Sequence, residues 1–92
     1  MTGEELDEIK ARCEAATPGR WCATRGTTVH YIHADGHSHL AKVYSQGGGR
    51  AQDADFIAAA REDVPRLVAE VERLRAEVAA LKARVAGLKA WW

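Results

Sequence analysis

A seven-residue repeat of valine and leucine occupies the last third of this chain and constrains its fold more than any other feature. Valine recurs every seven residues, and a leucine follows each valine three residues later. The eight residues of this stripe, called the seam below, are Val64, Leu67, Val71, Leu74, Val78, Leu81, Val85 and Leu88. They occupy the a and d positions of a coiled coil. A β-branched residue at a with leucine at d favours two parallel strands, and no asparagine at a enforces that number, so higher oligomers stay open.

Charged residues flank the seam with opposite signs on its two sides. Glu70 and Glu77 lie at position g, and Arg75 and Lys82 lie at the e positions that follow them. In a parallel pair, g of one helix faces the next e of its partner, so these acids meet these bases and only Arg84 with Lys89 is mismatched. An antiparallel pair would set the basic e positions against each other. The alternative is a helix packed on its own domain, but the sequence offers no second helix of similar length. The repeat therefore predicts a parallel homo-oligomer, with a dimer preferred.

The remaining sequence predicts a small head over residues 1–62 in front of a coiled-coil oligomerisation helix over residues 63–92. Helical spacing of apolar residues marks the first segment, and β-branched and aromatic residues mark residues 21–44. The predicted fold class is α+β: an N-terminal helix, a small antiparallel three-stranded sheet, then a short helix and a long C-terminal parallel coiled-coil helix.

Local signals set the expected ends of the first helix. Thr2 and Glu5 have the spacing of a capping box, in which each side chain accepts the other residue's backbone N–H. Pro18 and Gly19 should end the helix and turn the chain. The turn should deliver Trp21 to the core.

The sheet is expected to contain a tight hairpin at Asp35-Gly36, because both central residues of a type I′ turn need positive φ. A two-residue loop there places Ile32 opposite His39 and Tyr31 opposite Leu40. Both faces of this hairpin are partly apolar, and the Tyr31/Leu40 face is expected to be the core.

Two helical segments are expected after a flexible glycine-rich loop at residues 45–49. Asp53 or Asp55 should cap the short helix, and Asp63 should cap the long one, with Pro65 tolerated in its first turn. A bend is expected where the two segments meet.

Composition narrows the class of protein. Thirteen basic residues balance thirteen acidic residues, which disfavours nucleic acid as a partner. No secretory signal or membrane span is expected, and Cys13 and Cys22 are expected as reduced thiols in an intracellular protein. Trp92 continues position a, but the sequence does not decide whether Trp91-Trp92 is native.

Four histidines form the one cluster with metal-binding chemistry; they are His30, His33, His37 and His39. His37 and His39 form an H-x-H pair on one strand face, and His30 lies diagonal to it. Neither a cysteine nor a carboxylate completes the set, so we expect a solvated hairpin and neither a metal nor another cofactor. Cys22 beside a histidine is the one conceivable nucleophile, and it has no oxyanion loop. We therefore expect no catalytic site and no enzyme.

Two motifs resemble a known family. Residues 15–21 read AATPGRW, residues 55–60 read DFIAAA, and a leucine-rich helix follows from Asp63. This combination resembles the Ead/Ea-like family of phage and prophage accessory proteins, whose pattern is ATPGPW, a variable middle, DAxFIAxA and a leucine-rich helix. Arg20 replaces the second proline, and the resemblance skips roughly residues 22–52. It implies a phage-encoded, non-structural protein of the host cytoplasm, and it supplies no catalytic residues.

These observations lead to one main hypothesis. The chain is a non-enzymatic homo-oligomer whose coiled coil displays two or more heads as binding modules for a host protein or small ligand. One alternative is a sponge that captures a host signalling molecule between protomers, for which Arg20, Arg25 or Arg50 would have to converge on an apolar cleft. Another is a nucleic-acid-associated regulator, which the neutral charge disfavours.

Overall fold

The computed structural model describes residues 1–35, 39–44 and 50–89, and its elements follow the predicted order. Helix α1 spans Gly3–Ala15, strands β1, β2 and β3 span Trp21–Thr24, Val29–Ala34 and His39–Tyr44, and helix α2 spans Ala51–Lys89. The strands form one antiparallel sheet in the order β1-β2-β3. The predicted α+β class, with an N-terminal helix, a three-stranded antiparallel sheet and a long C-terminal helix, is confirmed.

Some sequence expectations fall outside the described residues. They concern Gly36 of the hairpin turn, His37, the glycine-rich loop at residues 45–49, and Trp91-Trp92. Across the described ranges, no helix combines the length and the apolar character needed to cross a membrane.

α1 begins with the predicted capping box. Thr2 Oγ1 accepts the N–H of Glu5 at 3.1 Å, and the Glu5 carboxylate accepts the N–H of Thr2 at 2.9 Å. The Thr2 backbone N–H, with a smaller contribution from the Thr2 side chain, holds the pKa of the Glu5 carboxyl below its ordinary value. The helix ends at Ala15, ahead of the proline as expected.

The turn after α1 contains the glycine that the sequence singled out. Gly19 has a φ of 95°, in the left-handed region that favours glycine. Trp21 then starts β1, and its indole Nε1–H donates to the Thr17 carbonyl oxygen at 2.9 Å. The Arg61 guanidinium lies 5.9 Å from the centre of a Trp21 ring. The turn thus brings a half-buried Trp21 against α2.

The register of the β2–β3 hairpin differs from the expected one. Ile32 pairs with Ala41, not with His39, and Tyr31 pairs with Lys42, not with Leu40. The strands end at Ala34 and resume at His39, so more than two residues separate them. The register also shifts between Ile32 and His33, where β3 advances two residues while β2 advances one. Such a bulge reorients the side chains on either side of it.

The prediction that the Tyr31/Leu40 face of the sheet forms the core is wrong. His30, Ile32 and Ala34 are buried along β2, whereas Leu40 is 36% exposed. The His30/Ile32 face packs on α2, which presents the small buried residues Ala54 and Ala58. Two alanines leave room for the fully buried Ile32 side chain, and this packing decides the core side.

α2 is one helix, so the predicted division into two helices with a cap at Asp63 is wrong. It runs unbroken from residue 51 to residue 89 with Pro65 inside it. A proline inside a helix removes one backbone hydrogen bond and costs about 3 kcal/mol. Buried residues lie on both sides of it, at Ala58 before and Val68 after. We infer that this packing offsets the cost and keeps the helix continuous.

The start of α2 also differs in detail. The helix begins at Ala51, so neither Asp53 nor Asp55 is its N-cap residue. The Asp53 carboxylate instead reaches back and accepts the Arg50 N–H at 2.9 Å, which satisfies a backbone donor at the helix start.

Candidate oligomerisation surface along α2

α1 and the sheet pack on one face of α2. The buried residues of this helix are Ala54, Ala58 and Val68, which lie on one side at 3.6 residues per turn. We call this side the packed face. Ala54 and Val68 are e positions of the heptad that defines the seam, and Ala58 is a b position. The packed face is therefore turned by roughly a quarter of a turn from the seam.

α1 runs antiparallel to the middle of α2. Near the end of α1, the Cys13 carbonyl oxygen accepts a hydrogen bond from Arg61 Nη1 at 3.2 Å. Ahead of its start, the Met1 carbonyl oxygen accepts a hydrogen bond from Arg75. Leu6 of α1 and Val68 of α2 are buried between these two points. The first two heptads of the seam thus have α1 along their e side.

The eight predicted seam residues form one stripe along α2, and most of it is uncovered. Val64 and Val71 are half-buried. The other six are exposed: Leu67, Leu74, Val78, Leu81, Val85 and Leu88, with exposed fractions from 45% to 64%. The part of the stripe beyond α1 has no described residue packed on it. This uncovered stripe is the candidate oligomerisation surface.

The acidic flank of the seam is ordered by one arginine. Arg73 Nη2 lies 2.6 Å from Glu70 Oε1, and Arg73 Nη1 lies 3.1 Å from Glu77 Oε2. The hydrogen bond from Arg73 holds the pKa of the Glu70 carboxyl below its ordinary value. Both acids therefore border the seam with their carboxylates paired to Arg73. Arg75 is directed to Met1 within the single chain, so pairing with a second copy requires its side chain to turn.

The exposed area of the whole chain is large for its mass. The chain exposes 7094 Å², whereas a compact protein of 10.0 kDa exposes about 5,200 Å². The surplus is about 1,900 Å², and a stable protein–protein interface of standard size buries about 800 Å² on each partner. The surplus exposed area of the whole chain is therefore larger than the area that such an interface buries on one partner.

The histidines that were candidate metal ligands are separated by the fold. His30 is buried on the core face, and its Nδ1 accepts the Gly26 N–H at 3.3 Å. His39 lies on the opposite face, stacked on Tyr31 with ring centres 4.3 Å apart. The expectation that His30 and His39 share a face is therefore wrong, because the bulge reorients His39. Among the described residues, no three side chains are grouped as metal ligands.

The candidate nucleophile pair is also engaged elsewhere. Cys22 and His33 are cross-strand partners. His33 Nε2, however, lies 2.7 Å from Thr24 Oγ1. Cys13 and Cys22 are both half-buried free thiols. The His33 imidazole thus contacts the Thr24 hydroxyl.

An apolar cavity of about 330 Å³ opens between α1, Trp21 and the start of α2. Arg12 and Arg61 line it, together with Phe56 and Ile57. The arginines considered for a captured ligand (Arg20, Arg25 and Arg50) do not line it. Of these, Arg25 forms an ion pair with Asp55 at 2.7 Å.

Sequence reasoning expected Phe56 and Ile57 to pack against Trp21 and the first helix, and it did not count these two residues or Ala60 as part of the oligomerisation surface. Ile57 and Ala60 lie one heptad before Val64 and Leu67, so they continue positions a and d into the head. Phe56 occupies the g position beside them and is 76% exposed. Extending the heptad count upstream would have found them, but the expected helix break at Asp63 stopped the count.

No family model matches this chain, and neither a curated protein nor a solved structure is significantly similar to it.

Proposed function

We propose that this chain is a non-enzymatic binding module that works as a homo-oligomer, with two copies joined through a parallel coiled coil of α2. The observation that carries the proposal is the exposed seam, six residues of which stand in solvent in the single chain. Burying a leucine or valine side chain contributes about 1.5–3 kcal/mol. A second copy of the same stripe is the occupant that fits, because its heptad spacing is identical.

The flanking charges support the parallel orientation. Glu70 and Glu77 lie on one side of the seam, and Arg75 and Lys82 lie on the other. A parallel arrangement sets these acids against these bases, and each exposed pair contributes about 0.3–0.5 kcal/mol. The seam is exposed from Leu74 onward, so two copies associate there without displacing α1 or the sheet, whereas Val64 and Val71 are half-buried. Both heads then lie at the same end of the coil.

The biological setting of the proposal is that of a phage or prophage accessory protein in the host cytoplasm. Its support is the sequence resemblance carried by residues 15–21 and 55–60. The structure adds a physical role for these motifs: the first turns Trp21 toward α2, and the second contributes Phe56 and Ile57 to the same cavity. The heads are the parts that bind a host protein or a small ligand.

Light scattering of the purified chain tests the assembly. The expected mass at micromolar concentration is that of a dimer. The double substitution Leu74→Asp with Leu81→Asp places charges at two d positions and should give a monomer, because each aspartate has to be buried. The matched control is Ala76→Asp with Ala83→Asp, at exposed f positions of the same helix, and it should remain a dimer. A wild-type monomer, or an unchanged mass for the d-position variant, contradicts the proposal.

A further inference from the structure

Phe56 and Ile57 are exposed although they are large and apolar. Phe56 is 76% exposed and Ile57 is 39% exposed, at the start of α2. Both line the 330 Å³ cavity, whose floor is formed by α1 and Trp21. A lone exposed aromatic residue needs no explanation, but an exposed aromatic residue beside an open apolar cavity marks a surface that a partner covers.

The heptad positions of these residues show on which side of α2 this surface lies. Ile57 and Ala60 continue positions a and d, Phe56 lies at g, and Arg61 lies at e. The cavity therefore lies on the same side of α2 as the seam, one heptad upstream. α1 bounds it on the e side, as it bounds the first two heptads of the seam.

We propose that the dimer seam continues upstream into the head, and that Phe56 of each copy closes over the cavity of the other copy. This inference rests on the proposed parallel dimer. In that arrangement, g of one helix faces the e position five residues later on its partner, so Phe56 faces Arg61 of the partner subunit. The two heads then form one joined body with the coil.

The chemistry at Arg61 suits an aromatic ring. Its guanidinium lies over Trp21 and donates to the Cys13 carbonyl oxygen. Its Nε is buried and has no hydrogen-bond partner among the described residues. Arg61 is half-buried and lines the open cavity, so a second aromatic ring that enters this cavity gains cation–π attraction in addition to its own burial. The arginine then lies between Trp21 of its own chain and Phe56 of the partner subunit.

The charges around the cavity also fit a second copy. Arg12 of α1 lines the cavity, at the end of α1 that lies beside Arg61. Asp63 is the next g residue after Phe56 and is exposed. In a parallel, in-register pair, Asp63 of the partner subunit lies on the α1 side. Its position along the helix axis is then close to that of Arg12. A second copy thus brings a carboxylate toward an uncovered basic side chain.

Disulfide trapping tests the inference separately from the dimer. In a chain with Cys13→Ala and Cys22→Ala, single cysteines are placed at Val78→Cys, Ile57→Cys and Gln52→Cys and oxidised mildly. A residue at a lies against the same residue of the second helix, so Val78→Cys reports the coil and Ile57→Cys reports the upstream seam. Gln52 is an exposed c position and is the negative control. Covalent dimers are expected for the first two variants and not for the third.

A second variant measures the contribution of the aromatic ring. Phe56→Ala should raise the dimer dissociation constant about tenfold or more, because a side chain buried in the dimer becomes a small one. Gln52→Ala should leave the dissociation constant unchanged. The near-ultraviolet signal of the head should survive in both variants, since Phe56 is mostly exposed in the single chain.

The outcomes separate the two proposals. Trapping at position 78 without trapping at position 57, together with an unchanged dissociation constant for Phe56→Ala, overturns the inference and leaves the dimer intact. A wild-type chain that is monomeric overturns both.

Discussion

Gly26 shows how a single residue fixes the sheet. It lies in the connection between β1 and β2, and its N–H donates to His30 Nδ1 at 3.3 Å. A Cβ atom added at this position would lie 2.2 Å from the Val29 carbonyl oxygen. That oxygen is backbone, so the connection itself would have to move. Only glycine permits this close approach, and the approach in turn places the buried His30.

Gly26→Ala should therefore destabilise the fold by about 1–3 kcal/mol, as overpacking of a tight site does. Urea unfolding monitored by circular dichroism measures the change. Gly87→Ala is the matched control, because a Cβ at Gly87 meets nothing within 4 Å and the residue lies inside α2. It should stabilise the chain by about 0.5–1 kcal/mol through helix propensity. Equal effects of the two substitutions would contradict the close approach at Gly26.

The sequence predicted interactions between residues that are close along the chain. It did not predict close approaches that depend on the path of the backbone. Thr2 and Glu5 are three residues apart, and their capping box depends on helix geometry alone, so the pattern predicted the structure correctly. The constraint at Gly26 depends on where the chain returns after the turn. That path is set by the pairing of β1 with β2, which no local pattern specifies.

At the scale of the elements, the sheet shows why a strong turn signal misled. Asp35-Gly36 matches a two-residue turn, but β2 ends at Ala34 and β3 starts at His39. The bulge beside His33 then moves His39 to the face of Tyr31. The choice of core face needed the surface of α2, where Ala54 and Ala58 leave space for a β-branched side chain. This complementarity is not present in the strand sequence itself.

The core face is testable with a pair of truncations. Ile32→Ala should cost about 2–5 kcal/mol, since the side chain is fully buried and its removal leaves a cavity. Leu40→Ala should cost clearly less, because Leu40 is partly exposed on β3. Thermal or urea unfolding of both variants gives the comparison. A larger loss of unfolding free energy for Leu40→Ala than for Ile32→Ala would indicate that the Tyr31/Leu40 face is the core face.

α2 continues through two residues whose sequence signals predict a helix start. Asp63 and Pro65 carry the usual signals of a helix start, yet the helix passes through both. Buried residues lie on both sides of the proline, at Ala58 and Val68, and we infer that their packing on the head keeps the two halves in line. Tertiary contacts thus override a local signal, and only a folded partner surface reveals them.

At the scale of the whole molecule, much of the candidate surface was visible in the sequence. The Val/Leu period identified the stripe without any structure, because a heptad repeat depends only on spacing. The structure added where α1 and the sheet lie relative to that stripe. It also extended the stripe to Ile57 and Ala60. The contact of Arg75 with Met1 stayed out of reach, since it depends on where α1 lies around the helix.

One helix carries both the core of the head and the exposed stripe, so the head and the proposed coil should unfold together. Residues 51–75 of α2 contact the sheet and the α1 segment, and the same helix continues to residue 89 with the exposed stripe. Loss of the proposed coil would therefore remove support from the helix that carries the core. For a dimer that unfolds as one unit, the midpoint of thermal unfolding depends on protein concentration, because dissociation accompanies unfolding.

The size of that dependence follows from the length of the chain. Unfolding two chains of 92 residues takes about 130 kcal/mol of enthalpy at about 0.7 kcal/mol per residue. Each tenfold dilution should then lower the Tm by about 4 °C. Circular dichroism melts at several concentrations measure the slope. The monomeric variant with Leu74→Asp and Leu81→Asp should melt at a lower temperature and show no dependence on concentration. A wild-type Tm that stays constant on dilution would mean that the stripe on α2 remains uncovered in solution.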